Sequence, residues 1–224
     1  MTTGFQFIKK LSHPFDVDDV HIGALCVRNN VVYVPMQFGK WGIWAVDTDL
    51  VFGEFFEADS PVPPEDDIFS WCDVHPSNGL LYTSNFTQPH RLIAYEFGAN
   101  RLVRRADQDI PLLQPGDGKL TTHVQGACFT PNYKWLAVCD VDEAERIHCH
   151  STLSGAFLDR RSLIADTDEG TIGSRNELEG IWYFPYQTGQ GNVVHVHMLE
   201  LNNEAHSADD MYLWHFALPD VDAL

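Results

Sequence analysis

The chain has 224 residues, 44% of them hydrophobic and 12% aromatic, enough to bury one sizeable core and too apolar for a disordered segment. Thirty-two acidic residues against fourteen basic leave a formal charge of -18, a field that repels phosphate backbones and anionic membrane surfaces, so neither nucleic acid nor membrane is an expected partner. No apolar run reaches the ~18 residues of a membrane span, and the start, "MTTGFQFIKKLSHP", lacks the pattern of a secretory leader, which predicts a cytoplasmic protein.

In chain order, "GFQFIKKLSHP" (4–14) opens with a strand-like pattern. A first unit follows at about 20–60, with "HIGALC", "NVVYVPM" (30–36), "WGIWAVD" (41–47) and "VFGEFFEA" (51–58) as strands. The proline-rich crossing "DSPVPPEDD" (59–67) leads to a second unit at 69–114: "FSWCDVH", "GLLYTSN" (79–85), "RLIAYEF" (91–97) and "RLVRRADQDI" (101–110). A third, at 122–168, reads "HVQGACF", "KWLAVCD" (134–140), "RIHCHS" (146–151) and "AFLDRRSLIAD" (156–166). After the polar loop "DTDEGTIGSRN" (166–176) a fourth, at 178–220, reads "LEGIWYF", "NVVHVHM" (192–198) and "MYLWHFAL" (211–218). Asn, Gly and Pro clusters ("RNN", "PSNG", "TPNYK", "TGQGN") precede each second strand, as hairpins require.

The anchor positions Gly23, Cys72, Gly126 and Gly180 are 49, 54 and 54 residues apart. A period near fifty with four strands per unit predicts an all-β chain folded as a single four-bladed β-propeller over 1–224, residues 4–14 closing the last blade. A five-bladed propeller and a β-sandwich are the alternatives, the sandwich leaving the period unexplained. The five cysteines, Cys26, Cys72, Cys128, Cys139 and Cys149, form no C-x-x-C pair and read as reduced, mostly buried thiols.

"GACFTPNYKWLAVCDVDEAERIHCHSTLSGAF" resembles the blade consensus of the NHL, lactonase-like and strictosidine-synthase-like propellers. "DVHPSNGLLYTSN" is a looser match, and "ELEGIWY" is similar to the "EG" blade opening of the lactonase-like group. The resemblance implies the fold. Those families usually have six blades where this chain has room for four, so their metal-binding sets do not carry over as a whole.

In a propeller the innermost strands line the central channel. The openings "DVDDVHIG", "DDIFSWCD", "TTHVQG" and "RNELEG" therefore bring Asp19, His21, Ser70, Trp71, Asp73, His123, Gln125, Glu177 and Glu179 toward one mouth. His21, His123 and Glu179 are the candidate catalytic and metal-ligating set. Imidazole and carboxylate from separate repeats suit a divalent ion (calcium, magnesium, manganese or zinc) or an acid–base pair. Trp71, Gln125, Glu177 and Arg175 are the candidate ligand-binding residues, Trp71 by stacking. The expected function is a small-molecule site at the channel mouth with hydrolase-, lyase- or isomerase-like chemistry. The alternative is a non-catalytic binding or protein-interaction scaffold, the polar openings then serving the backbone groups left at strand ends. "HVHM" (His195, His197) and "HCH" (His148, His150) are lesser metal cues, each an H-x-H pair on one strand face.

Overall fold

The computed structural model describes residues 20–49, 53–59, 70–116, 123–141, 144–162, 176–184, 193–202 and 210–219. The repeat is visible as strands. The first unit comprises β1 (His21–Ile22), β2 (Cys26–Arg28), β3 (Val31–Gln37), β4 (Trp41–Asp47) and β5 (Gly53–Ala58). The second comprises β6 (Asp73–Val74), β7 (Leu81–Ser84), β8 (Arg91–Phe97), β9 (Arg101–Arg104) and β10 (Ile110–Pro111), with a 3-10 turn at Ala106–Gln108. β11 (Val124–Phe129), β12 (Lys134–Val141), β13 (Ala144–Ser151) and β14 (Phe157–Ser162) form the third, and β15 (Asn176–Phe184), β16 (Val193–Asn202) and β17 (Asp210–Pro219) the fourth. The expected closing strand at 4–14 lies outside the described residues.

The third unit is a four-stranded antiparallel meander, β11-β12-β13-β14, and the fourth a three-stranded one, β15-β16-β17. The first two units are not separate sheets. Their outermost strands pair in parallel, Glu57 opposite Arg101 and Ala58 opposite Leu102, fusing them into one ten-stranded sheet. Their inner edges also meet, through a parallel bridge between Ala24 and Trp71. Ala24 N–H donates to Ser70 O at 2.7 Å and Cys72 N–H to Ala24 O at 3.2 Å. Joined at both edges, the sheet curls back on itself.

The core follows the two-residue period of the strands. Cys26 and Ile43 of the first unit pack with Cys72, Leu81, Ile93 and Tyr95 of the second. Tyr82, Leu92 and Ala94, one residue out of phase, face Ala127, Phe129, Trp135 and Ala137 of the third unit. Cys128, Leu136 and Val138 of the third face Ile181, Val196 and Met198 of the fourth. The middle units are therefore buried on both faces, which is why β7 has no exposed residue. Among the described residues no helix is long and apolar enough to cross a membrane.

Candidate functional site

The repeat anchors explain how the inner strands converge. A Cβ placed on Gly126 would lie 2.6 Å from the Cα of Gly180, so β11 and β15 cross with no room for a side chain. Gly180 in turn looks toward Ala24, where an added Cβ would meet the Ala24 methyl at an ordinary 3.7 Å. Immediately before each of these glycines the strand ladder slips. The register of β11 breaks between Val124 and Gly126, and that of β15 between Leu178 and Gly180. Gln125 and Glu179 are the residues left over, each on a β-bulge, a device that re-aims one side chain out of the alternation.

Glu179 lines a cavity of about 620 Å³. One wall is the inner strand of the first unit, Ile22 to Arg28; the other is Glu179 to Tyr183 of the fourth; Asp73, Ala127 and Cys128 also contribute. Its rim is apolar, with Ile22 54% and Val27 52% exposed and Leu25 and Trp182 also open to solvent. Three interfaces between successive units are filled by apolar clusters. This cavity lies between the first unit and the fourth.

A half-buried Arg28 and a buried Asp73 form an ion pair at this cavity. Asp73 is 2% exposed and accepts from Arg28 Nε at 3.2 Å and Arg28 Nη2 at 3.1 Å. It also accepts the backbone N–H of Val74 at 2.7 Å and of Phe129 at 2.8 Å, while Arg28 Nη2 donates to the Phe129 carbonyl at 3.4 Å. The pair thus grips both polar atoms of one residue at the end of β11. Burial works against the Arg28 charge, yet the attraction and hydrogen bonds of Asp73 outweigh it and hold the guanidinium above its ordinary pKa.

The thiols at this cavity are quiet. Burial raises Cys26 well above the usual thiol range, with neighbouring Cys72 adding to the effect, and burial pushes Cys128 up as well. Protonated thiols of this kind are poor nucleophiles and poor metal ligands at neutral pH. Cys26, Cys72, Cys128 and Cys149 are all buried and unbridged.

The other candidates are spread out. His21 is exposed on β1, opposite Gln37, next to Ile22 of the cavity rim. His123 is exposed ahead of β11 in a left-handed conformation (φ 47°), its ring 5.3 Å from Phe86. Gln125 is half-buried on its bulge. Glu177 lies on β15, opposite Leu201, and Arg175 is outside the described residues. Trp71, expected to stack on a ligand, is 0% exposed. Its indole N–H donates to Ser84 Oγ at 2.9 Å, and its ring lies 5.7 Å from Trp135 and 6.5 Å from Phe129. All of its surface is taken by the core between the second and third units. Of the candidate catalytic, metal and ligand-binding residues, Glu179 is the one in the cavity lining, joined there by Asp73, which the sequence also placed near the mouth. Arg28 escaped the sequence reading because "RNN" reads as turn chemistry, and its partner is 45 residues away.

No family model matches the chain, and no curated protein matches it. Among solved structures it is similar to the Bacteroides ovatus protein "Xyloglucan PUL GH43B", a five-bladed β-propeller, with a TM-score of 0.53 and 12% identity. That match covers 88% of this chain and 38% of the other, so the chain spans well under half of its neighbour's length. Kuenenia stuttgartiensis hydrazine synthase is also similar, with a TM-score of 0.44 and 12% identity over 96% of this chain and 71% of that one. The first likeness, with the all-β repeat, makes the fold β-propeller-like.

Proposed function

We propose that the four units act as four blades of a propeller-like ring that binds a small molecule in the cavity between the first and fourth. The observation that carries this reading is Glu179, turned by a bulge into the lining of a cavity of about 620 Å³ that also holds the Arg28–Asp73 ion pair. The size falls in the range of about 300–1,000 Å³ usual for small-molecule sites, and so does the mixture of apolar walls with few polar groups. Arg28, Asp73 and Glu179 are the lining's formal charges: one positive and two negative give -1. That sum, inside a chain of charge -18, favours a neutral or cationic ligand with an apolar face for Ile22, Leu25, Val27 and Trp182.

Glu179 is the group for acid–base work, with His21, beside Ile22 of the rim, as a second titratable group in reach of a bound molecule. The catalytic form of the reading is a hydrolase-, lyase- or isomerase-type reaction at Glu179; the non-catalytic form is binding alone. A panel of neutral glycosides, lactones and small aromatic amines, followed by tryptophan fluorescence and thermal shift, tests it. Saturable binding that Trp182→Ala weakens at least tenfold supports the cavity. Turnover abolished by Glu179→Gln with binding retained supports the catalytic form. Binding of the panel that neither substitution alters would place the site elsewhere.

A further inference from the structure

The face of the fourth unit away from its core is lined in a way the cavity does not explain. On β15-β16-β17, Ile181, Val196, Met198 and Leu218 turn into the core shared with the third unit. The alternate positions turn outward, and three of them are histidines. His197 sits directly opposite His215 on β17 and opposite Trp182 on β15, while His195, two residues along β16, pairs with Ala217. His195 Nδ1 and His215 Nε2 are 2.9 Å apart, and His197 Nε2 and His215 Nδ1 are 2.8 Å apart. The Trp182 ring meets the edge of His197, with centroids 5.3 Å apart. His215 is exposed, and His195 and His197 are half-buried.

We infer that His195, His197 and His215 are the ligands of a site for a divalent transition-metal ion, zinc or copper in kind. An H-x-H pair on one strand with a third histidine on its antiparallel neighbour puts three imidazoles on one side of a rigid sheet, the donor set that three-coordinate protein zinc sites use with water as fourth ligand. Imidazole nitrogen also suits copper, cobalt and nickel. In the arrangement seen, the rings run as a chain, His195–His215–His197, and do not surround one point. His215 spends one nitrogen on each neighbour. Turning that ring about its Cβ–Cγ bond brings a single nitrogen toward the gap between its partners. With metal–nitrogen bonds of ~2.0–2.1 Å, tetrahedral ligands stand roughly 3.3 Å apart, a spacing close to the 2.8 and 2.9 Å contacts His215 already makes with its two neighbours. The ligand form is neutral imidazole.

The experiment uses the full chain without tag histidines, equilibrated with zinc or cobalt(II) and freed of loosely held ion before elemental analysis. One equivalent is expected, with the visible bands of tetrahedral cobalt when cobalt is used. His197→Ala and His215→Gln should each weaken binding at least tenfold, with unchanged circular dichroism. Glu179→Gln should leave metal affinity as it was, which separates this site from the cavity. Less than about a tenth of an equivalent on the wild type, or a full equivalent on the triple alanine variant of His195, His197 and His215, overturns the assignment.

Discussion

Asp73 holds three units together with one carboxylate. It accepts four hydrogen bonds, two from Arg28 of the first unit, one from its own neighbour Val74, and one from Phe129 of the third. The arrangement satisfies the rule that a buried charge is tolerated only when paired and hydrogen-bonded. Arg28→Met removes the partner and leaves the carboxylate in place. We expect a loss of about 3 kcal/mol in urea unfolding at pH 7. A loss below about 0.5 kcal/mol at pH 7 would show the pair to be dispensable. His150 makes a second prediction. Its ring is buried between Trp135 and Phe157, each with centroids 5.4 Å away, and burial lowers its pKa from 6.5 to about 4, against a smaller raising effect of the Gly155 carbonyl. Folding therefore keeps the ring neutral. Its contribution is complete above the unfolded value of 6.5 and is lost as pH falls through about 4, because the unfolded chain takes up the proton first. His150→Gln should flatten the decline of stability between pH 6.5 and 4, a difference of up to about 3 kcal/mol at the acid end. Parallel pH profiles for the two proteins would count against it.

At the scale of strands, the glycine anchors and the residues before them have separate jobs. Gly126 is required by space, since any side chain there meets the backbone of Gly180. Gly180 has room for a methyl group against Ala24. Gly126→Ala should therefore cost about 2–3 kcal/mol by overpacking, whereas Gly180→Ala should cost well under 1 kcal/mol. Equal losses would mean that the crossing is not the reason for the glycine. The residue just before each anchor, Gln125 or Glu179, occupies the bulge. The sequence shows this as a polar residue ahead of a glycine; that Glu179 lines a cavity is seen in the structure. Trp71 holds the matching place in the second unit, but there it bridges to Ala24 in parallel and is fully buried in the core. Nothing local distinguishes a tryptophan that caps a core from one that faces a ligand.

Among the described residues, burial is greatest in the second and third units. The second and third units have apolar clusters on both faces, while the described outer face of the fourth carries exposed Trp182, Leu213 and His215. Local stability follows burial. Hydrogen exchange should thus be slowest in β7, β8 and β12 and fastest in β17 among the described strands. Uniform protection across the units would contradict this. The fifty-residue period, the approximate places of most strands and the alternation that sorts each strand into two faces were written in the sequence, because hydrophobic periodicity and turn chemistry are local signals; the single strand expected at 101–110 is instead β9, a 3-10 turn and β10. The fusion of the first two units through β5 and β9, the grip of Arg28 and Asp73 on Phe129, and the cavity beside Glu179 were decided only by the tertiary structure. They depend on residues dozens to a hundred positions apart meeting in space, and a chain's local pattern does not encode which edges and charges will meet.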